Sequence, residues 1–98
     1  MASRNSTHIT FSWDIVDGYY TSSYISYFRL YYQRRSYSYA PYVYISYSSA
    51  THNGATFSYT HSLETFNNGP YIMWVQVRRP SLDPSYTYSG RKHVKIGK

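Results

Sequence analysis

The chain contains no cysteine, and this absence removes several classes of chemistry at once. Disulfide bonds, thiol nucleophiles and thiolate metal sites are excluded, so the fold has to be stabilised by packing alone. Apolar runs are also short, and none approaches the roughly 18 residues that a membrane-spanning helix needs. The sequence therefore predicts a packed domain without a membrane span.

Acidic residues are scarce, and their spacing does not suggest acid–base catalysis. The whole set is Asp14, Asp17, Glu64 and Asp83. The histidines are scattered without the spacing of a metal-binding motif, at positions His8, His52, His61 and His93. A glycine-rich phosphate loop is missing as well. We therefore expect a protein that is not an enzyme and that uses neither a metal nor a cofactor.

Basic residues and tyrosines are abundant instead. Ten lysines and arginines give a net charge of +6, which favours acidic partners. The 15 tyrosines in 98 residues are too many for a disordered chain. Tyrosine is favoured in strands, and on a surface it offers a rigid, amphipathic contact area. The composition therefore predicts a β-protein and indicates a binding function.

Hydrophobic residues alternate with polar ones along several short segments, which is the pattern of half-buried strands. Ile9, Phe11 and Trp13 share one face of the first segment, and Val75 and Val77 share one face of the most apolar segment. Six strands are predicted, over residues 7–14, 24–34, 42–48, 55–63, 71–79 and 91–96. Six short strands with turn signals about every ten residues predict an all-β, antiparallel sandwich.

The spacing of the core residues resembles that of a fibronectin type III domain. The residues that carry the resemblance are Ile9-x-Phe11-x-Trp13, Phe28-x-Leu30-x-Tyr32, Tyr71-x-Met73-x-Val75-x-Val77, and the pair Leu63 and Tyr71. The resemblance implies strands B, C, C′, E, F and G for the six predicted segments. It also implies a corner in which the Tyr71 hydroxyl binds backbone a few residues upstream.

Two departures from the family pattern concern strand A and the corner. Only residues 1–6 precede the first predicted strand, so strand A is expected to be absent, truncated or very short, and residues 1–6 are either an added start or its remnant. Residues 7–98 then form a single domain. The segment from Leu63 to Tyr71 is about two residues longer than the family pattern, so we expect a looser corner or one filled by Phe66.

The resemblance implies that three connections gather at one end of the sandwich, namely residues 14–23, 50–55 and 80–90. The candidate protein-binding residues that they carry are Tyr19, Tyr20, His52, Tyr86 and Tyr88. The tyrosines of the strands, such as Tyr31, Tyr42 and Tyr44, are attributed to β-propensity and cross-strand pairing.

Basic residues flank the last long loop and form a second candidate site. Arg78 and Arg79 end one predicted strand, and Arg91 and Lys92 begin the next, so a hairpin would place all four close together. We expect this patch to bind an anionic ligand such as a sulfated glycan. Nucleic acid is disfavoured, because no nucleic-acid-binding motif accompanies the charges.

The sequence predicts a non-catalytic recognition or adhesion module, a protein-binding or spacer domain of a larger secreted or cell-surface protein. The sequon Asn5-Ser6-Thr7 is consistent with an extracellular location. One alternative is an engineered Tyr/Ser-rich binder on such a scaffold, since residues 36–39 read Ser-Tyr-Ser-Tyr. Another is a structural protein that self-associates through its Tyr/Ser-rich strands.

Overall fold

The computed structural model describes residues 2–4 and 7–96 of the chain. Nine strands form in this part of the chain: β1 (Ala2–Arg4), β2 (His8–Asp14), β3 (Tyr27–Arg34), β4 (Tyr42–Ser46), β5 (Thr51–Asn53), β6 (Thr56–Ser62), β7 (Gly69–Arg78), β8 (Tyr86–Tyr88) and β9 (Lys92–Ile96). Single 3-10 turns at Tyr47–Ser49 and Leu63–Thr65 are the helical elements among these residues. None of the helical segments described could cross a membrane.

The strands form two antiparallel sheets that pack as a sandwich. The first sheet has the order β1-β2-β6-β5. The second has the order β4-β3-β7-β8. β9 also pairs with β7, so that β8 and β9 are both partners of this long strand. β8 pairs with residues 76–78 and β9 with residues 69–73, so they succeed one another along that strand. The predicted antiparallel β-sandwich is confirmed.

The core lies between the sheets and follows the alternation of the sequence. Ile9, Phe11 and Trp13 of β2 are buried, and so are Val75 and Val77 of β7. Each such side chain contributes about 1.5–3 kcal/mol when it leaves water. The core is aromatic at its centre, where the Trp13 ring lies 5.0 Å from that of Phe28 and 6.1 Å from that of Phe57.

A strand of three residues, β1, precedes the first predicted strand. β1 pairs with β2 from Ala2 opposite Phe11 to Arg4 opposite Ile9. β1 therefore stands at the position in the chain where the resemblance implies a strand A. The sequon's Asn5 and Ser6 lie outside the described residues, as do Met1, Gly97 and Lys98.

Several strand boundaries differ from the predicted ones, because local hydrogen bonds take over. The second long strand begins at Tyr27 and not at residue 24, since the Thr21 carbonyl oxygen accepts hydrogen bonds from the backbone N–H groups of Tyr24 and Ile25, both at 3.0 Å. β4 ends at Ser46, where a 3-10 turn redirects the chain towards β5 in the other sheet. The predicted loop at residues 80–90 contains β8.

The corner before β7 contains the hydrogen bond expected for it. The Tyr71 hydroxyl donates to the Asn67 carbonyl oxygen at 2.9 Å, four residues upstream. Phe66 is buried there, with its ring 4.8 Å from that of Tyr32 and 5.9 Å from that of Tyr71, while Leu63 is only partly buried. Phe66 therefore fills the corner, which accommodates the longer segment.

Candidate functional site: an aromatic and arginine-rich sheet face

The outward side of the second sheet is covered by aromatic and arginine side chains from four of its strands, together with Arg91. Strand register brings them together, because residues paired across a sheet project to the same side. We call this side the aromatic–arginine face; its residues are Tyr27, Arg29, Tyr31, Tyr42, Tyr44, Trp74, Gln76, Arg78, Tyr86, Tyr88 and Arg91.

Arg29 is at the centre of the face. Its guanidinium carbon lies 5.2 Å from the Tyr27 ring centre and 4.7 Å from the Tyr42 ring centre. One of its N–H groups donates to the Gln76 side-chain oxygen at 3.4 Å. The Tyr27 and Tyr44 rings are 5.3 Å apart on the same part of the face. Such cation–π contacts contribute about 0.5–1 kcal/mol each at exposed sites, so they favour one arrangement of long side chains.

Arg78 forms a similar contact at the end of β7. Its guanidinium lies 4.6 Å from the Tyr86 ring centre and donates to the Ser85 hydroxyl at 2.8 Å. Hydrogen bonding with the Tyr86 hydroxyl raises the pKa of the Tyr27 hydroxyl above its ordinary value. At the neighbouring cross-strand pair on this side of the sheet, the Gln76 side-chain amide donates to the Tyr88 hydroxyl at 3.0 Å.

Trp74 is covered although it points away from the core. Its ring stacks on that of Tyr31 at 5.3 Å and an interplanar angle of 8°, and the Arg91 guanidinium lies 4.1 Å above the indole. These neighbours leave Trp74 only 8% exposed. The middle of the face is therefore packed like an interior, while its border is exposed to solvent.

The exposed border of the aromatic–arginine face consists of aromatic side chains, and the face as a whole is positively charged. Tyr42 is 47% exposed, and Tyr44 and Tyr88 are each 59% exposed. The face carries three arginines, and none of the four acidic residues of the chain belongs to it. Rigid aromatic rings with positive charges between them form a surface whose charge is complementary to acidic groups.

The five predicted binding residues separate into two groups. Tyr86 and Tyr88 belong to the aromatic–arginine face. Tyr19, Tyr20 and His52 lie instead around the connections at one end of the sandwich. The Tyr19 ring contacts that of Tyr24 at 4.9 Å, the Tyr20 carbonyl accepts a hydrogen bond from the Tyr47 hydroxyl at 3.5 Å, and the His52 ring stacks on that of Phe57 at 4.9 Å. β8 therefore places Tyr86 and Tyr88 on the side of the second sheet, where Tyr88 also lines a cavity with Asp14, the last residue of β2, and Val16 of the connection that follows.

The four predicted anion-binding residues have different surroundings in the fold. Arg79 is only 5% exposed and pairs with Asp17 at 2.7 Å, so its charge is not presented to a ligand. Arg78 lies against the Tyr86 ring and Arg91 against the Trp74 ring. Tyr86 is paired with position 78 of β7, four residues from Trp74, which corresponds to about 13 Å along the strand at the usual rise per residue. Lys92 is exposed in β9, opposite Met73.

Sequence reasoning missed most of the aromatic–arginine face. It assigned Tyr31, Tyr42 and Tyr44 to β-propensity and did not select Arg29 or Trp74. The available signal was the period-two placement of aromatic and basic residues on the polar side of two neighbouring strands.

The histidines and carboxylates remain dispersed in the fold. Within residues 2–4 and 7–96, no three of these side chains gather into a group that could hold a metal ion. His61 is half-buried, with its Nδ1 3.3 Å from the Tyr59 hydroxyl. Burial, followed by the nearby His8 charge, lowers the pKa of His61 below its ordinary value.

No protein-family model matches the chain, and no match is found among curated proteins or among solved structures.

Proposed function

We propose that this chain is a non-catalytic recognition module that resembles a fibronectin type III domain and works in the extracellular space or at the cell surface. The aromatic–arginine face is the observation that carries the proposal. The sheet orders, the buried Trp13 and the hydrogen bond of the Tyr71 hydroxyl support the resemblance.

The proposed partner is a protein with an acidic surface patch. Tyrosine, tryptophan and arginine are the residues that most often dominate the free energy of protein association. Here they project from paired strands, so little conformational entropy is lost when they are covered. The guanidinium groups of Arg29, Arg78 and Arg91 supply charge without a nearby carboxylate on the face, and acidic groups complement that charge.

Binding of the tetramerised domain to animal cells, measured by flow cytometry, tests this proposal. We expect Tyr44→Ser and Tyr88→Ser each to weaken binding about tenfold, which corresponds to about 1.4 kcal/mol. Tyr19→Ser is the matched control, because Tyr19 is also an exposed tyrosine but lies outside the face. We expect trypsin treatment of the cells to remove binding, heparinase treatment to leave it unchanged, and added salt to weaken it.

Two outcomes contradict the proposal. Equal binding by the Tyr44→Ser, Tyr88→Ser and Tyr19→Ser variants excludes the aromatic–arginine face. Loss of binding after heparinase but not after trypsin replaces the protein partner with a sulfated glycan.

Self-association is the second candidate function, and one observation favours it. β4 is the edge strand of the second sheet and pairs there with β3 alone, while Tyr42 and Tyr44 are exposed along it. Unpaired backbone groups of an edge strand can accept a strand from another molecule. Sedimentation velocity over a hundredfold concentration range separates the candidates. A monomer throughout favours the recognition module, and assembly that Tyr44→Lys abolishes favours self-association through this edge.

A further inference from the structure

A cavity of about 250 Å³ opens at the corner formed by the end of β3, the start of β7 and the β3–β4 connection. Four tyrosines and one arginine form most of its wall, and we call it the tyrosine cup: Tyr32, Arg34, Tyr37, Tyr39 and Tyr71. It is separate from the aromatic–arginine face, because Arg34 and Tyr71 pair at a register position that faces inward.

The Arg34 guanidinium is held in a fixed position within the cup. It lies 5.6 Å from the ring centres of both Tyr37 and Tyr71, and Nη1 donates to the Tyr71 hydroxyl at 3.4 Å. On a further side it rests on Gly69, where an added Cβ would come within 2.7 Å of Nη2. A guanidinium enclosed in this way loses little freedom when it binds an anion.

The loop that carries Tyr37 is anchored as well. The Tyr37 N–H donates to the Arg34 carbonyl oxygen at 2.9 Å, and the Gln33 side-chain amide donates to the Tyr37 carbonyl oxygen at 2.6 Å. These two bonds hold the wall of the cup against β3, so the site is formed before a ligand arrives.

The charge of Arg34 is not neutralised within the described part of the chain. No carboxylate of residues 7–96 lies within ion-pair distance of it, and Asp17 is engaged by Arg79. A guanidinium has five N–H donors, of which one is used by the Tyr71 hydroxyl. The remaining donors match the two oxygens of a carboxylate, which arginine binds in a bidentate geometry.

The walls of the cup indicate what else the ligand contains. Tyr37 and Tyr39 are 58% and 72% exposed, so a ligand can reach their ring faces and hydroxyls. Tyrosine rings pack on the C–H face of a sugar, and phenolic hydroxyls bind its hydroxyl groups. The volume lies below the 300–1,000 Å³ typical of sites for drug-sized ligands, so the cup fits a single ring.

We propose that the tyrosine cup binds one carboxylated pyranose, with the carboxylate on Arg34 and the sugar ring against Tyr37 and Tyr39. Hexuronates and sialates share this chemistry, and either can present it at the end of a glycan. The proposal does not depend on the function of the aromatic–arginine face.

Titration of the ¹⁵N-labelled domain with methyl β-glucuronide, followed by NMR, tests the proposal. We expect saturable shifts at the backbone amides of residues 34–39 and 67–71. Methyl β-glucoside, which carries a hydroxymethyl group in place of the carboxylate, is expected to bind at least tenfold more weakly. The methyl glycoside of N-acetylneuraminic acid is titrated in parallel, and the tighter of the two acidic sugars identifies the source of the carboxylate.

Arg34→Gln and Arg35→Gln form a matched pair of variants, since they make the same charge change at neighbouring residues and only Arg34 lines the cup. We expect Arg34→Gln to lose binding and Arg35→Gln to keep it. Tyr39→Ala, at a largely exposed residue, checks the sugar contact with little effect on folding. The proposal is overturned if the glucoside binds as well as both acidic sugars, if Arg34→Gln binds normally, or if N-acetylaspartate binds as tightly as the sugars. Absence of saturable shifts with both acidic sugars overturns it as well.

Discussion

Arg79 forms a salt bridge with the carboxylate of Asp17, which lies 62 positions earlier in the sequence. A single nitrogen, Nη1, lies 2.8 Å from Oδ1 and 2.7 Å from Oδ2. The arginine is buried at the end of β7, whereas the aspartate side chain is 45% exposed in the connection after β2. Hydrogen bonding from Arg79 lowers the pKa of the Asp17 carboxyl below its ordinary value. The pair therefore ties the β2–β3 connection to the residue that directly follows β7.

We expect Asp17→Asn to destabilise the domain, because it leaves a buried guanidinium without a counter-charge. The expected cost is about 1–2 kcal/mol, less than for a fully buried pair, since water already screens the exposed aspartate. Urea unfolding measures it, with the exposed Asp83→Asn as control. The double variant Asp17→Asn/Arg79→Met should recover part of the loss, and a double variant no more stable than Asp17→Asn contradicts this account.

We expect Trp13→Ala to cost about 3–5 kcal/mol, because it removes a buried ring that contacts Phe28 and Phe57. Val16→Ala, three residues away at a side chain that is 94% exposed, should change stability by less than about 0.5 kcal/mol. Thermal and urea unfolding measure both. A loss below about 1 kcal/mol for Trp13→Ala is incompatible with the packing around this ring.

The inward side of each long strand was predictable from sequence, whereas the relations between strands were not. Ile9, Phe11 and Trp13 face the core as their alternation indicates, since period two decides the face of a strand by itself. The contact between Arg29 and Tyr42 depends on the register of β3 against β4, which a local pattern does not contain. Arg79 was predicted to be a surface charge for the same reason: its partner, Asp17, is distant in sequence.

The tyrosine cup was missed on similar grounds. The pair Arg34 and Arg35 reads as an exposed basic turn, and the corner that turns one of them inward is built by residues more than 30 positions later. Tyr71 was predicted for its role in the corner, but its position beside Arg34 required the pairing of β3 with β7.

We expect Gly69→Ala to destabilise the domain and to weaken sugar binding in the cup. Gly69 has a φ of +146°, a conformation that alanine rarely adopts, and its new Cβ would displace the Arg34 guanidinium. The expected cost is about 1–3 kcal/mol. Gly54→Ala also has a positive φ but meets no atom within 4 Å, so it isolates the backbone contribution. If both variants bind methyl β-glucuronide as the wild type does, the position of Arg34 does not depend on Gly69.

We expect His61 to make the domain less stable as the pH falls below the ordinary histidine pKa of 6.5. Burial lowers the pKa of His61 in the folded chain below its ordinary value of 6.5, so the unfolded chain takes up the proton first. The contribution of His61 to the free energy of unfolding is fully present above pH 6.5. It is lost as the pH falls from there through the lower pKa of the folded chain. Urea midpoints at several pH values measure the slope.

The variant His61→Gln should flatten this pH dependence, and His93→Gln, at an exposed histidine, should leave it as in the wild type. An unchanged slope in His61→Gln contradicts the assignment of this pH dependence to His61.

The two tryptophans lie in opposite environments of the same small fold. Trp13 is enclosed between the sheets, and Trp74 lies on the outer side beneath Arg91 and beside Tyr31. Indole emission depends on local polarity and on neighbouring charge, so the two rings report different events. A chain with Trp74→Phe retains a fluorophore that follows the opening of the core, and a chain with Trp13→Phe retains one that responds when the outer surface is covered. The domain thus contains separate optical probes of unfolding and of occupancy, without any added label.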